Sequence, residues 1–181
     1  DNTSNNNSLI VDAGNFYQGH PLSEVDSGRT IIEFMNKVGY DALVPGPDDF
    51  VYGSKNLNKL ANLSNFPFLI ANLECNSCDL ISNNFKPYTI KEMDGVKFGI
   101  LGIVDFDLKN KLPNNKIEGI SLVGVKESLK HWIPILDSLS DITIILTSTG
   151  VPYDREKVYN DFIYHLNGDD YAVGEKHDNL N

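Results

Sequence analysis

The sequence has little positive charge and no long apolar run. Fifteen Lys and Arg residues stand against 25 Asp and Glu residues, which gives a formal net charge of −10 for the 181-residue chain. A negative field of this size repels nucleic acids and anionic membrane surfaces, so neither is an expected partner. No stretch approaches the roughly 18 consecutive apolar residues that a membrane-spanning helix needs, so no transmembrane segment is expected.

Signatures of several other protein classes are missing as well. No secretory signal is visible, but the chain begins at Asp1 rather than at a methionine, so a targeting segment could already have been removed. The glycines of DAGNFYQG (residues 12–19) lack the G-x-G-x-x-G spacing of a dinucleotide-binding loop. Ser148 lies in TSTG rather than in a nucleophile elbow, which disfavours a Ser-His-Asp triad.

Short apolar runs alternate with amphipathic stretches along most of the chain. Residues 1–8 are polar and are predicted to form a loop or linker, whereas residues 9–181 are predicted to form one domain. Asp94 and Gly95, between two β-rich runs, predict a hairpin. The predicted strands are LIVDA, YDALVPG, FPFLIANLE, ITIILTSTG and YAVGEKH, and the predicted helices are GRTIIEFMNKVG, SKNLNKLANLS, VKESLKHWIPILDSL (bent or interrupted near Pro134) and DREKVYNDFIYHL. This alternation favours an α/β fold with mostly parallel strands and crossover helices.

In such sheets the loops at the carboxyl ends of the strands gather and form the ligand site. Four loops are therefore expected to carry any chemistry: DAGNFYQG (12–19), PGPDDFVYG (45–53), LTSTG (146–150) and GEKH (174–177). In this order, and with the FPFLIANLE…FKPYTIKEMDGVKFGILGI block between them, these segments resemble the N-terminal domain of bacterial 5′-nucleotidases, within the calcineurin-like metallophosphoesterases. The resemblance runs from about residue 9 to the end, and YDALVPG followed by FPFLIANL is its most specific part.

The resemblance implies an αββα sandwich that hydrolyses phosphate esters with two divalent metals held at the strand ends. The first two loops depart from the family's ligand pattern. Asn15 stands where the family has the aspartate that bridges the two metals, and a neutral amide does not balance two dications. Pro47 replaces a ligand asparagine, Asp48 replaces a histidine that assists the leaving group, and Asp49 replaces a glutamate.

The last two loops depart from the pattern in the same way. Ser148 replaces a metal-binding histidine, and Glu175 replaces the first histidine of the Gly-His-x-His motif, of which only His177 remains. His20, His131 and His165 fall outside the ligand positions. The metal site is therefore predicted to be degenerate, and the chain is interpreted as a pseudoenzyme without a cofactor that serves as an interaction or scaffold module in an exported complex.

An active enzyme is the alternative interpretation. Asp48 and Asp49 could rebuild a site for a hard cation together with Asn15, Glu175 and His177, because oxygen ligands suit Mg²⁺ or Ca²⁺. With Mg²⁺, Ca²⁺, Mn²⁺ or Zn²⁺ bound, the chain would be a phosphohydrolase acting on nucleotides or other phosphate esters. Adjacent aspartates after Gly-Pro also form simple solvated turns, so bound metal and phosphatase activity separate the two interpretations.

The resemblance also implies that the sheet lacks its first strand. In the family an Asp-x-His strand lies beside the strand that corresponds to LIVDA, and only eight polar residues precede LIVDA here. An uncovered strand edge is an aggregation hazard, so a protein partner or an earlier segment of a longer chain is expected to cover it. The family's C-terminal domain, which recognises the base, has no counterpart in the sequence, and no substrate is predicted.

Cys75 and Cys78, the only cysteines, form a C-x-x-C in LECNSCDL. One such pair does not complete a zinc site, and no histidine follows it as in a c-type haem attachment. A redox motif of this spacing usually opens a helix, whereas this one follows a predicted strand. A small structural disulfide is preferred over two free thiols, which favours a periplasmic, cell-surface or extracellular location.

Overall fold

A computed structural model describes residues 8–17, 21, 25–105 and 107–149, all of which fall within one compact unit. The last predicted helix and strand, and most of the polar N-terminal stretch, lie outside these residues. The strands are β1 (Val11–Asp12), β2 (Ala42–Leu43), β3 (Phe68–Leu69), β4 (Leu73–Cys75), β5 (Phe85–Lys86), β6 (Tyr88–Met93), β7 (Val96–Ile103), β8 (Ile120–Leu122) and β9 (Ile142–Thr147). The helices are α1 (Arg29–Val38), α2 (Ser54–Leu63), α3 (Leu108–Lys111) and α4 (Val125–Leu139), with 3₁₀ turns at Pro47–Phe50 and Asn114–Lys116.

One sheet is parallel throughout, with the strand order β1-β2-β3-β5. α1 connects β1 to β2, and α2 connects β2 to β3, as the alternating pattern predicts. α1 buries Ile32 and Met35 on its apolar face and ends at Gly39, whose φ of 86° lets its N–H reach the carbonyl of Met35. In the described part of the chain β1 is the end strand of this sheet, so the expected covering of its other edge stays a prediction.

A second sheet has the order β6-β7-β9. β6 and β7 form the predicted antiparallel hairpin, and its turn residues Asp94 and Gly95 have φ values of 50° and 79°, as a tight hairpin turn requires. β9 lies parallel to β7. α4 packs on this sheet and continues through Pro134 without an interruption, because Leu136 is buried against Leu101 and Ile103.

The two sheets pack face to face, with helices on their outer faces. β7 alternates between the layers: Leu101 contacts α4, whereas Ile100 joins the core that contains Phe68 of the parallel sheet and Leu57 of α2. Gly102 is needed for this packing, because a Cβ atom there would lie 2.1 Å from Cβ of Leu69. The expected α/β fold with helix, sheet, sheet and helix layers is confirmed.

The apolar stretch FPFLIANLE forms two strands, so the prediction of a single strand is wrong. The chain turns after β3, because the buried side chain of Asn72 bonds to both the N–H and the carbonyl of Val104, at 2.7 and 2.9 Å. β4 then pairs antiparallel with β8, away from the parallel sheet. None of the helices in the described residues has the length and apolar character to cross a membrane.

Candidate functional site

The loops after β1 and β2 are pressed together at the carboxyl edge of the parallel sheet. A Cβ atom on Gly14 would lie 2.5 Å from the backbone nitrogen of Gly46, and one on Gly46 would lie 2.3 Å from Oδ1 of Asn15. Only glycine fits at both positions. The predicted convergence of DAGNFYQG and PGPDDFVYG is therefore present in the structure.

Asp49 connects these two loops from the inside. Its side chain is fully buried, and its Oδ2 accepts hydrogen bonds from the backbone N–H groups of Asn15 and Gly46, each at 2.8 Å. Its Oδ1 accepts a third from the N–H of Phe16 at 3.0 Å. Burial raises the pKa of the Asp49 carboxyl to about 7, the three N–H donors oppose that rise, and the nearby Asp12 carboxylate adds to it. Asp49 thus holds the loops in place through all of its acceptor atoms.

Asn15 and Asp48 face each other at the surface of the same junction. Asn15 has a φ of 60°, a left-handed conformation that asparagine tolerates better than most residues. Its Oδ1 accepts the backbone N–H of Asp48 at 3.0 Å and so caps the 3₁₀ turn Pro47–Phe50. The amide at the position of the family's bridging carboxylate is therefore engaged within the protein.

Ser148 lies at the end of β9, beside the loop that follows β7. It is buried, and its Oγ accepts the backbone N–H of Asp105 at 3.0 Å. Asp105 is only 1% exposed, and its carboxylate pairs with the ammonium of Lys111 at the end of α3. Its Oδ1 also accepts the N–H of Asp107 at 2.8 Å. Ser148 therefore belongs to a hydrogen-bonded network that leads through the buried Asp105 to the partly exposed ammonium of Lys111.

The sequence analysis missed Asp105 and Lys111. The hydrogen bond to Asp105 raises the pKa of Lys111, and the carboxylates of Asp105, Asp107 and Asp48 add to that rise. The sequence signal that could have indicated this ion pair is DFDLKNK, in which two acidic residues are followed by two basic ones directly after a buried strand.

The described residues at the family's ligand positions do not fit a pair of divalent cations. The oxygens of Asn15 and Ser148 each accept a backbone N–H, and both oxygens of Asp49 are engaged in the same way. Within residues 8–17, 21, 25–105 and 107–149, no group of three or more His, Cys, Asp or Glu side chains is arranged to hold a metal ion. The contribution expected from Glu175 and His177 lies outside the described residues.

Of the remaining histidines the structure describes His131, and it describes both cysteines. His131 lies on α4 with its ring edge-on to Trp132, at 4.7 Å between centroids, whereas His20 and His165 are outside the described residues. Cys75 and Cys78 form the predicted disulfide, with their Cα atoms 5.3 Å apart. The disulfide follows β4.

The comparisons with known proteins agree with the fold. No protein-family model matches the sequence. The trifunctional nucleotide phosphoesterase protein YfkN of Bacillus subtilis is 30% identical over 169 residues, which cover 81% of this chain and 11% of that protein. A 5′-nucleotidase of Diplobatis ommata is 31% identical over 156 residues, covering 82% of this chain and 26% of that protein.

A solved structure of similar sequence supports the same assignment. The crystal structure of the calcineurin-like phosphoesterase YfkN from Bacillus subtilis has a TM-score of 0.66 and 28% identity, and the match covers 80% of this chain and 49% of that one. This chain spans between 11% and 26% of the length of the two curated relatives above. It belongs to the calcineurin-like metallophosphoesterase superfamily, in which it corresponds to the N-terminal domain of the 5′-nucleotidases.

Proposed function

We propose that this 5′-nucleotidase-like domain has lost its two-metal site and serves as an interaction or scaffold module in an exported complex. One observation carries the proposal: the oxygens of Asn15, Asp49 and Ser148 are engaged by the protein's own N–H groups. A cation of the protein itself, the ammonium of Lys111, pairs with the buried Asp105, whose N–H bonds to Ser148. A site that satisfies its own polar groups has no need of metal ions to balance them.

The oxygens of Asn15 and Asp49 keep further lone pairs, so a metal would not have to displace these N–H donors. A metal at Asp49 would, however, share the oxygens that hold the N–H groups of Asn15, Phe16 and Gly46 at a buried junction. Asn15 would bring no negative charge in return, whereas a shared carboxylate is what holds two dications close together. The balance therefore favours the closed, metal-free arrangement.

An active phosphohydrolase is the second candidate, and it is favoured by the relatives, which are a nucleotide phosphoesterase and a 5′-nucleotidase. In that case Asp48, which has a half-exposed carboxylate, would hold a divalent cation with Glu175 and His177. The cation would supply charge stabilisation for attack on a phosphate ester. Its ligands would come from two of the loops that carry ligands in the family, but with residue types that differ from the family pattern at Asp48 and Glu175.

The exported location is supported by the disulfide between Cys75 and Cys78. Such bonds persist in oxidising compartments and are rare in the cytosol. A periplasmic, cell-surface or extracellular location follows for the proposed complex. Native mass spectrometry of the protein isolated from its own exported fraction should find a stoichiometric protein partner, and a chain found alone at its native concentration would count against the scaffold role.

The enzymatic question is tested by elemental analysis of the purified chain and by nucleotidase assays in excess Mn²⁺, Zn²⁺, Mg²⁺ or Ca²⁺. No stoichiometric metal and no turnover above the blank are expected, with the Bacillus subtilis relative as the active control. Tightly bound metal in stoichiometric amount, together with phosphatase turnover, would establish the second candidate instead.

A single repair provides a sharper test. Asn15→Asp restores the bridging carboxylate but leaves Pro47 and Ser148 in place, so the variant is expected to remain inactive in the same assays. Asn15→Ala is the matched control, since it also removes the amide without adding charge. Nucleotidase turnover that appears only in Asn15→Asp would mean that the other loops still supply a working ligand set.

A further inference from the structure

The two sulfur atoms of the Cys75–Cys78 disulfide have different surroundings. Cys75 is exposed at the end of β4, whereas Cys78 is partly buried and packs against the hydrophobic core. A thiolate arriving from solution therefore meets Cys75 first. Access decides which sulfur of a disulfide is attacked.

The sulfur of Cys78 also has a hydrogen-bond donor. The backbone N–H of Leu80 points at Sγ of Cys78 with an N···S distance of 3.4 Å. The side chain of Leu80 is only 7% exposed, so this donor is held in place by packing. An N–H directed at sulfur stabilises the thiolate, and a stabilised thiolate leaves faster.

The loop does not depend on the disulfide for its shape. The N–H of Asn76 donates to the carbonyl of Gly119 at 2.7 Å, and Cys75 pairs with Ile120 in the β4–β8 ladder. The side-chain amide of Asn76 donates to Oγ of Ser121 at 3.3 Å. Opening a ring that spans only four residues releases little chain entropy, so the two cysteines should stay close together after reduction.

We propose that this disulfide is a thiol-exchange site, at which a small external thiol attacks Sγ of Cys75 and Cys78 is the leaving group. The S–S bond breaks as the new S–S bond forms, and its electron pair leaves on Sγ of Cys78, which is then a thiolate. A second thiol attacks the external sulfur of this mixed disulfide and releases Cys75. Two external thiols are thereby oxidised to one small disulfide, while the protein disulfide is reduced to two thiols.

The test uses the native chain and glutathione at graded ratios of its reduced and oxidised forms. Samples are quenched in acid, and their thiols are alkylated and mapped by mass spectrometry. The expected result is a reversible change between disulfide and dithiol, with a transient glutathione adduct on Cys75 and unchanged circular dichroism. A disulfide that resists glutathione until the chain unfolds, or an adduct mainly on Cys78, would overturn the proposal.

Two variants isolate the role of the Leu80 N–H. Leu80→Pro removes the donor, so it should slow the first exchange step severalfold while circular dichroism confirms the fold. Asn76→Ala removes a hydrogen bond of the same loop that does not reach sulfur, and its exchange rate should match that of the unaltered chain. Equal slowing in both variants would refute the assignment of Cys78 as the leaving group. If Leu80→Pro does not fold, the position of the glutathione adduct in the unaltered chain decides which cysteine leaves.

Discussion

At the scale of single residues, Asp49 is a fully buried acidic side chain between two loops. Its two oxygens accept three backbone N–H groups from two loops, and so replace the carbonyl acceptors that these N–H groups would otherwise need. The sequence predicted a position near a metal site for this residue, whereas its observed geometry is that of a loop anchor. Its contribution should therefore be visible in stability measurements without any assay of activity.

Asp49→Asn should lower the free energy of unfolding by about 1–3 kcal/mol near pH 5. At this pH the buried carboxyl is protonated, since its pKa is about 7, but both of its oxygens can still accept N–H groups. The amide has one acceptor oxygen, and its NH₂ group would face N–H groups that need an acceptor. Urea unfolding followed by circular dichroism measures the change. Asp48→Asn is the matched control, because that carboxylate is partly exposed, and a loss of similar size in both variants would contradict the anchoring role.

The same carboxyl predicts a pH dependence of stability. Its pKa is raised from the ordinary 3.8 to about 7, so between these values the folded protein holds a proton that the unfolded chain has lost. The contribution of Asp49 to the free energy of unfolding is thus greatest below pH 3.8 and is lost as the pH rises through about 7. The stability difference between the unaltered chain and Asp49→Asn should narrow from about pH 5 to about pH 8, and a widening difference would refute the raised pKa.

At the scale of elements, α3 is a four-residue helix whose last residue, Lys111, pairs with Asp105, just after the end of β7. Asp107 begins it, and Lys111 ends it beside the buried Asp105. A helix this short has little stability of its own in water, so side-chain pairing is what holds it. The loop after β7 is therefore closed by charge as well as by packing.

Lys111→Met should destabilise the chain by about 1–3 kcal/mol, because it leaves Asp105 buried without its cation. The lysine side chain is itself 44% exposed, so water already screens the pair and limits the loss. Thermal unfolding measures the change, with Lys109→Met on the same helix as the control. The double variant Asp105→Asn with Lys111→Met should recover part of the loss, and no recovery would argue against the ion pair as its cause.

At the scale of the whole molecule, the sheet-to-sheet contact at Gly102 limits how closely the layers can pack. A methyl group there would overlap both Cβ and the backbone carbonyl of Leu69, neither of which can rotate away. Gly102→Ala should therefore cost at least about 3 kcal/mol. Gly39→Ala is the control, because a methyl group there meets no neighbour and only the left-handed φ is unfavourable, at a cost of about 1–2 kcal/mol. If urea unfolding gives equal losses for both variants, the two layers can separate to accept the methyl group at Gly102.

Hydrophobic periodicity in the sequence predicted α1, α2 and α4, and the turn residues Asp94 and Gly95 predicted the hairpin, because these features depend on neighbours along the chain. The parallel pairing was expected from the alternation of strands with helices. This alternation also located the loops after β1 and β2, since strand ends gather at one edge of a parallel sheet. Hydrophobic periodicity could not divide FPFLIANLE into β3 and β4. That break depends on Asn72 reaching Val104, a contact made 32 residues away.

Residue types led to the prediction that the family's ligands are replaced, for example by Asn15 and Ser148. Only the tertiary structure decided what those residues do instead: Asn15 caps a turn, Asp49 anchors two loops, and Ser148 accepts an N–H from Asp105. Hydrogen-bond partners and burial depend on which distant segments the fold brings together. The ion pair of Lys111 with Asp105 was likewise decided by the tertiary structure. In the sequence, Lys111 looks like any solvent-exposed lysine, because the burial of Asp105 cannot be known from the letters.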